Sequence, residues 1–154
     1  MRVKLEQTIG CSPEALWPWI DDPERSKQWM RGLVEVRPTS PGPRRKGSTA
    51  VVVIQEGRRS AEYDETILEY EPARRLKLRL VGGSFRGTGL EIDYKLDDLG
   101  GRTRLEYECG CELQNKVLAF FAPLFGVFAR MQARSFFRKL RKLAESDSEL
   151  AATT

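Results

Sequence analysis

Apolar and polar residues alternate along Val3-Lys4-Leu5-Glu6-Gln7-Thr8-Ile9, a two-residue period that predicts a strand ending at Gly10. Ser12-Pro13-Glu14-Ala15 then supplies an N-cap, a proline at the first helical position and an acid in the first turn. A short helix through Leu16, Trp17 and Ile20 follows. Asp22-Pro23-Glu24 repeats the signal and predicts a second short helix to about Trp29, ended by Gly32. Leu33 to Val36 reads as a short strand. The stretch from Pro38 to Gly47, rich in proline and glycine and holding Arg44-Arg45-Lys46, reads as a mobile loop. Five strands separated by turn residues come next: Ser48–Gln55, Glu62–Glu71, Leu76–Val81, Thr88–Leu96 and Thr103–Leu113. Short strands joined by tight turns indicate antiparallel hairpins.

The alternation also assigns faces. Leu76, Leu78 and Leu80 fall on one side, as do Leu90, Ile92, Tyr94 and Leu96, and Leu105, Tyr107, Cys109 and Cys111; charged residues take the other side. A sheet with one apolar face needs a cover. The cover is the segment from about Asn115 to Glu145. There Val117, Phe121, Leu124, Phe128 and Met131 recur at helical spacing, and Phe137, Leu140 and Leu143 or Ala144 extend the stripe. Pro123 lies within this pattern and predicts a kink or a division of its first turns. Arg130, Arg134, Arg138 and Arg141, with Lys139 and Lys142, form a basic stripe that reads as a solvated helix face. The result is one α+β domain over 1–146, with a polar tail at 147–154 that frays.

Composition narrows the chemistry. The chain has 154 residues, no histidine and a net charge of +4. Without histidine, Ser-His-Asp and Cys-His nucleophile systems and His-ligated metals are excluded. Cys11, Cys109 and Cys111 are an odd number, which argues against a disulfide framework and for buried free thiols. Cys109 and Cys111 share a strand face, but further metal ligands are not evident, so neither metal nor cofactor is expected. There is no apolar stretch long enough to span a bilayer and no signal-peptide pattern, and the expected location is cytoplasmic.

The order strand, two short helices, strand meander and long helix resembles the START-like superfamily, also called SRPBCC or Bet v 1-like. The residues carrying the resemblance are Ser12-Pro13-Glu14-Ala15-Leu16-Trp17, Ile20-Asp21-Asp22-Pro23-Glu24 and Trp29, then Glu69-Tyr70-Glu71-Pro72-Ala73-Arg74-Arg75-Leu76 and Gly100-Gly101-Arg102-Thr103-Arg104-Leu105. The resemblance is closest to the bacterial polyketide cyclase/dehydrase-like branch. It implies a helix-grip fold, with a curved seven-stranded antiparallel sheet wrapped around the long C-terminal helix and a cavity between them. It also implies a hydrophobic small molecule as partner: a lipid, a polyketide-like aromatic or an isoprenoid.

Residues expected to line that cavity are Trp29, Met30, Tyr63, Leu78, Leu80 and Ile92, with Tyr94, Tyr107, Phe121, Leu124, Phe125 and Phe128. Core packing is the alternative for the tryptophans and aromatic helix residues, and bonding to backbone or water for the tyrosine hydroxyls. Glu65 is the single acid nominated for proton transfer, with a cavity tyrosine as the alternative, in a cyclase- or dehydrase-type enzyme. Tyr63 and Ile67 would carry it inward, whereas Leu68 and Tyr70 set the opposite phase, so it reads as a solvated acid unless a bulge intervenes. Segment 120–128 is apolar nearly all round. That leaves a ligand portal, a homodimer contact or a peripheral membrane contact open; no nucleic-acid partner is expected.

Overall fold

The computed structural model describes residues 2–83, 85–111, 116, 120 and 122–153, apart from the side chains of 85–88, 122 and 125. Its elements are β1 (Arg2–Ile9), α1 (Pro13–Asp21), α2 (Pro23–Ser26), β2 (Leu33–Pro38), β3 (Thr49–Glu56), β4 (Arg59–Glu71), β5 (Arg75–Gly82), β6 (Phe85–Asp98), β7 (Thr103–Cys111) and α3 (Ala122–Thr153). The strands form one seven-stranded sheet in the order β1-β7-β6-β5-β4-β3-β2, antiparallel throughout. Only β1 leaves its sequence neighbours, crossing to pair with β7 at the far end of the meander.

The helix starts follow the sequence signals. The Ser12 side chain accepts from the Ala15 N–H (3.2 Å), and the Asp22 carboxylate accepts from the Glu24 N–H (3.0 Å). Helix α2 stops at Ser26, short of Trp29. The chain turns there because Trp29 drops into the core, where its indole N–H donates to the Trp19 carbonyl (2.8 Å). The Ser26 hydroxyl binds the Trp19 and Ile20 carbonyls at 3.1 and 3.3 Å, locking the two short helices together.

The inner sheet face and α3 enclose the core, centred on Ile9, Leu16, Trp29, Ile67, Leu76, Leu105 and Leu140. Within α3, Ala133, Phe137, Leu140 and Ala144 are buried, one residue per turn. At the base of the sheet, the fully buried Thr103 hydroxyl donates to the Cys11 carbonyl (2.8 Å). The Gly10 N–H donates to the Glu145 carboxylate (2.8 Å), tying the end of β1 to α3. Gly82 closes β5 at φ +130°, where a side-chain carbon would meet the Glu62 carbonyl oxygen at 2.7 Å.

One expectation about the long helix is corrected. The apolar stripe of the long helix does not run continuously: Leu124, Phe128 and Met131 are exposed, while Phe137 and Leu140 are buried. Met131 and Phe137 are six residues apart, about one and two-thirds turns, so they cannot share a face. Beyond 146 the tail is helical to Thr153. It contains neither glycine nor proline, and Asp147 pairs with Arg25 at 3.3 Å. Pro123 is the second residue of α3, a position in the first helical turn that proline tolerates.

Candidate functional site

Between the sheet and α3 lies a cavity of about 450 Å³. Its floor is the inner face of four strands: Val52 and Ile54 of β3, Tyr63 and Glu65 of β4, Leu78 and Leu80 of β5, and Leu90, Ile92 and Tyr94 of β6. Met30 and Leu33 close one side, Ile20 and Asp21 of α1 contribute an edge, and Gln132 and Phe136 of α3 face it from above. The floor is apolar because alternate residues of antiparallel strands point the same way and those positions carry Leu, Ile and Val. The volume falls within the range of ordinary small-molecule sites.

Glu65 is the exception in this wall. It is only 7% exposed, flanked on the same face by the buried Tyr63 and Ile67. The expectation of a solvated acid is therefore overturned. A register shift between Ile67 and Glu69 lets the first half of β4 turn Glu65 inward while Tyr70 follows a different phase.

The partner of this acid comes from the loop expected to be mobile. Arg44 folds back from the β2–β3 connection, donating from Nε to Asp21 Oδ1 (3.0 Å) and approaching Glu65 Oε1 through Nη1 at 3.4 Å. The Tyr70 hydroxyl donates to the other Asp21 oxygen (2.8 Å). The same loop is held by the Gly47 N–H, which donates to the Ile67 carbonyl (2.8 Å).

Burial raises the Glu65 pKa above the usual carboxylate range. Arg44 opposes the shift by charge and hydrogen bond without cancelling it, and the Asp21 charge adds to it. Burial and the Asp21 hydrogen bond push Tyr70 up to about 12. Tyr94, 4% exposed, is raised by burial, then by Cys109 and by the charge of Glu65. Its hydroxyl has no hydrogen-bond partner among the described residues, whereas the Tyr63 hydroxyl donates to Glu56. The cavity wall therefore carries a carboxyl with a raised pKa and a phenol without a hydrogen-bond partner among the described residues.

This arrangement predicts a pH dependence. The folded protein holds the Glu65 proton more tightly than the unfolded chain does. The contribution of Glu65 to stability is therefore fully present below the ordinary carboxylate pKa and is lost as pH rises through the raised folded value. Glu65→Gln keeps the shape and removes the titration. It is expected to raise Tm at alkaline pH and to flatten the slope, measured by thermal melts across pH; a curve matching wild type would contradict the inward, desolvated carboxyl.

The other expected lining residues divide. Met30, Tyr63, Leu78, Leu80, Ile92 and Tyr94 border the cavity. Trp29 does not: it is core, its ring 5.7 Å from Phe137. Tyr107 packs between Tyr94 (5.5 Å, tilted) and Phe137 (4.9 Å, edge-to-face) and borders a separate groove of about 440 Å³, shared with Leu5, Gln7, Arg134 and Arg138. Leu124 and Phe128 face outward on α3. Phe121 and the Phe125 side chain lie outside the described residues. Sequence reading missed Arg44 and Asp21, whose pairing is not local. It also missed Gln132 and Phe136, whose four-residue spacing marks a helix face of their own. No disulfide joins the cysteines: Cys11 and Cys111 are buried and Cys109 is half-buried. Burial pushes the Cys11 and Cys109 thiols up to about 11, which keeps them protonated and weakly nucleophilic.

A curved antiparallel sheet gripping a long helix over a cavity defines the class: a helix-grip protein of the START-like, Bet v 1-like superfamily. Within it, the chain belongs to the polyketide cyclase / dehydrase and lipid transport family, which matches residues 1–145. An uncharacterized protein of Mycobacterium tuberculosis, Rv2574, is 28% identical over 142 residues, covering 90% of this chain and 81% of its own length. The crystal structure of TTHA0849 from Thermus thermophilus superposes with a TM-score of 0.72 at 15% identity, covering both chains fully. That of Ara h 8.0201 gives 0.70 at 12% identity, covering 95% of this chain and 98% of its own.

Proposed function

We propose that this protein binds and carries a hydrophobic small molecule, of the lipid, polyketide-like aromatic or isoprenoid type, in the cavity beneath α3. The observation that carries this reading is the cavity itself, about 450 Å³, with a mostly aliphatic floor that also presents Glu65 and Tyr94. Each 100 Å² of ligand apolar surface buried there gains about 2.5 kcal/mol. A hydrogen bond contributes about 1 kcal/mol net. The walls therefore set affinity, and Glu65 and Tyr94 set orientation by meeting a ligand carbonyl or hydroxyl. Native mass spectrometry of the purified protein, with solvent extraction, is expected to reveal a co-purifying apolar molecule or uptake from a panel of lipids and aromatics. A cavity that stays empty against that panel would refute the proposal.

One observation favours a second reading, an enzyme of the cyclase or dehydrase type. Glu65 faces the cavity with a raised pKa, as a group moving a proton on a bound carbonyl compound would. Glu65→Gln separates the two readings. Ligand uptake kept and turnover lost supports the enzyme; uptake kept with no turnover in either protein supports the carrier.

A further inference from the structure

The outward face of α3 carries a surface that the cavity does not use. Phe120, Leu124, Val127, Phe128 and Met131 recur at three- and four-residue spacing and are between 60% and 79% exposed. Leu124, Phe128 and Met131 each precede a buried residue (Ala133, Phe137, Leu140) by nine positions, or two and a half turns, so they stand on the opposite side from the core. None of the five borders the cavity. A contiguous apolar face of this kind on a folded protein marks an interaction site.

The charge around it identifies the partner. Residues 116–144 contain seven lysines and arginines and no acid, although the chain holds 22 acidic residues elsewhere. Arg134 and Arg138 follow Val127 and Met131 by seven positions, about two turns, so the apolar face continues directly into a basic one. Both are exposed and make no ion pair among the described residues. A second copy docking through this face would bring basic segment against basic segment.

We propose that this face of α3 docks on an anionic lipid bilayer, its apolar half dipping into the interface and its basic half resting on the headgroups. An amphipathic helix with aromatic and aliphatic residues beside unpaired arginines suits that role. Among the described residues no helix is long and apolar enough to cross a membrane, so the contact is peripheral.

The test is sedimentation of the full chain with vesicles of phosphatidylcholine alone or of equal phosphatidylcholine and phosphatidylglycerol. Binding is expected only with phosphatidylglycerol and should fall with added salt. Phe128→Asp is expected to weaken it at least about tenfold, and Arg134→Ala with Arg138→Ala about thirtyfold. All three positions are exposed, so thermal melts and uptake of cavity ligand should match wild type; this keeps the outcome separate from that of the carrier proposal. Equal sedimentation with both vesicles, or none with either, would overturn the proposal. So would a dimeric mass in light scattering that Phe128→Asp converts to monomer.

Discussion

Phe137→Ala is expected to cost about 3–5 kcal/mol of stability and to lower Tm by about 10 °C. Phe137 is the residue through which α3 grips the sheet. It is 5% exposed, and its ring lies 4.9 Å from Tyr107, 5.7 Å from Trp29 and 6.5 Å from Tyr94. These rings come from β6, β7 and the segment after α2, so a cavity there cannot be filled by one neighbour's adjustment. The contrast is Phe128→Ala, nine residues earlier on the far side of the helix, where the change should be within about 0.5 kcal/mol. Urea titrations of both variants decide the matter. Equal losses would mean that both phenylalanines are buried, and that the helix is phased as its continuous sequence stripe suggests.

Leu80→Trp is expected to weaken binding of an apolar fluorescent probe such as N-phenyl-1-naphthylamine about seventyfold, from about 100 Å² of lost apolar contact. Leu80 lies on β5 opposite Glu65 on β4 and Leu90 on β6, in the cavity floor. A larger side chain in a filled core costs about 1–3 kcal/mol. Here the indole enters open space, so Tm should change little while binding is lost. Fluorescence titration and a thermal melt on the same sample read both quantities. Binding unchanged in a folded Leu80→Trp would move the ligand site away from this cavity.

Much of this architecture could be read along the chain. The strand series, both N-capped helix starts and the inner faces of β5, β6 and β7 follow from two-residue alternation and from Ser12-Pro13 and Asp22-Pro23. The phase of α3 was legible in part. The six-residue step from Met131 to Phe137 signals a change of face, but periodicity does not say which of two apolar faces meets the sheet. The charged group in the cavity wall was scarcely legible. Glu65 turned inward through a bulge, and its cation came from a loop whose composition reads as solvated.

Local chemistry therefore determined the elements, their order and which side of each strand is apolar, because backbone geometry ties those properties to neighbouring residues. It also determined what is absent: a chain without histidine cannot build histidine chemistry wherever it folds. Tertiary structure alone decided which apolar face of α3 was buried and which was left to solvent. It alone brought Asp21, Arg44 and Glu65 together from α1, a loop and β4. Those outcomes depend on desolvation and on contacts between distant segments, and a carboxyl's neighbours in space are not its neighbours in sequence.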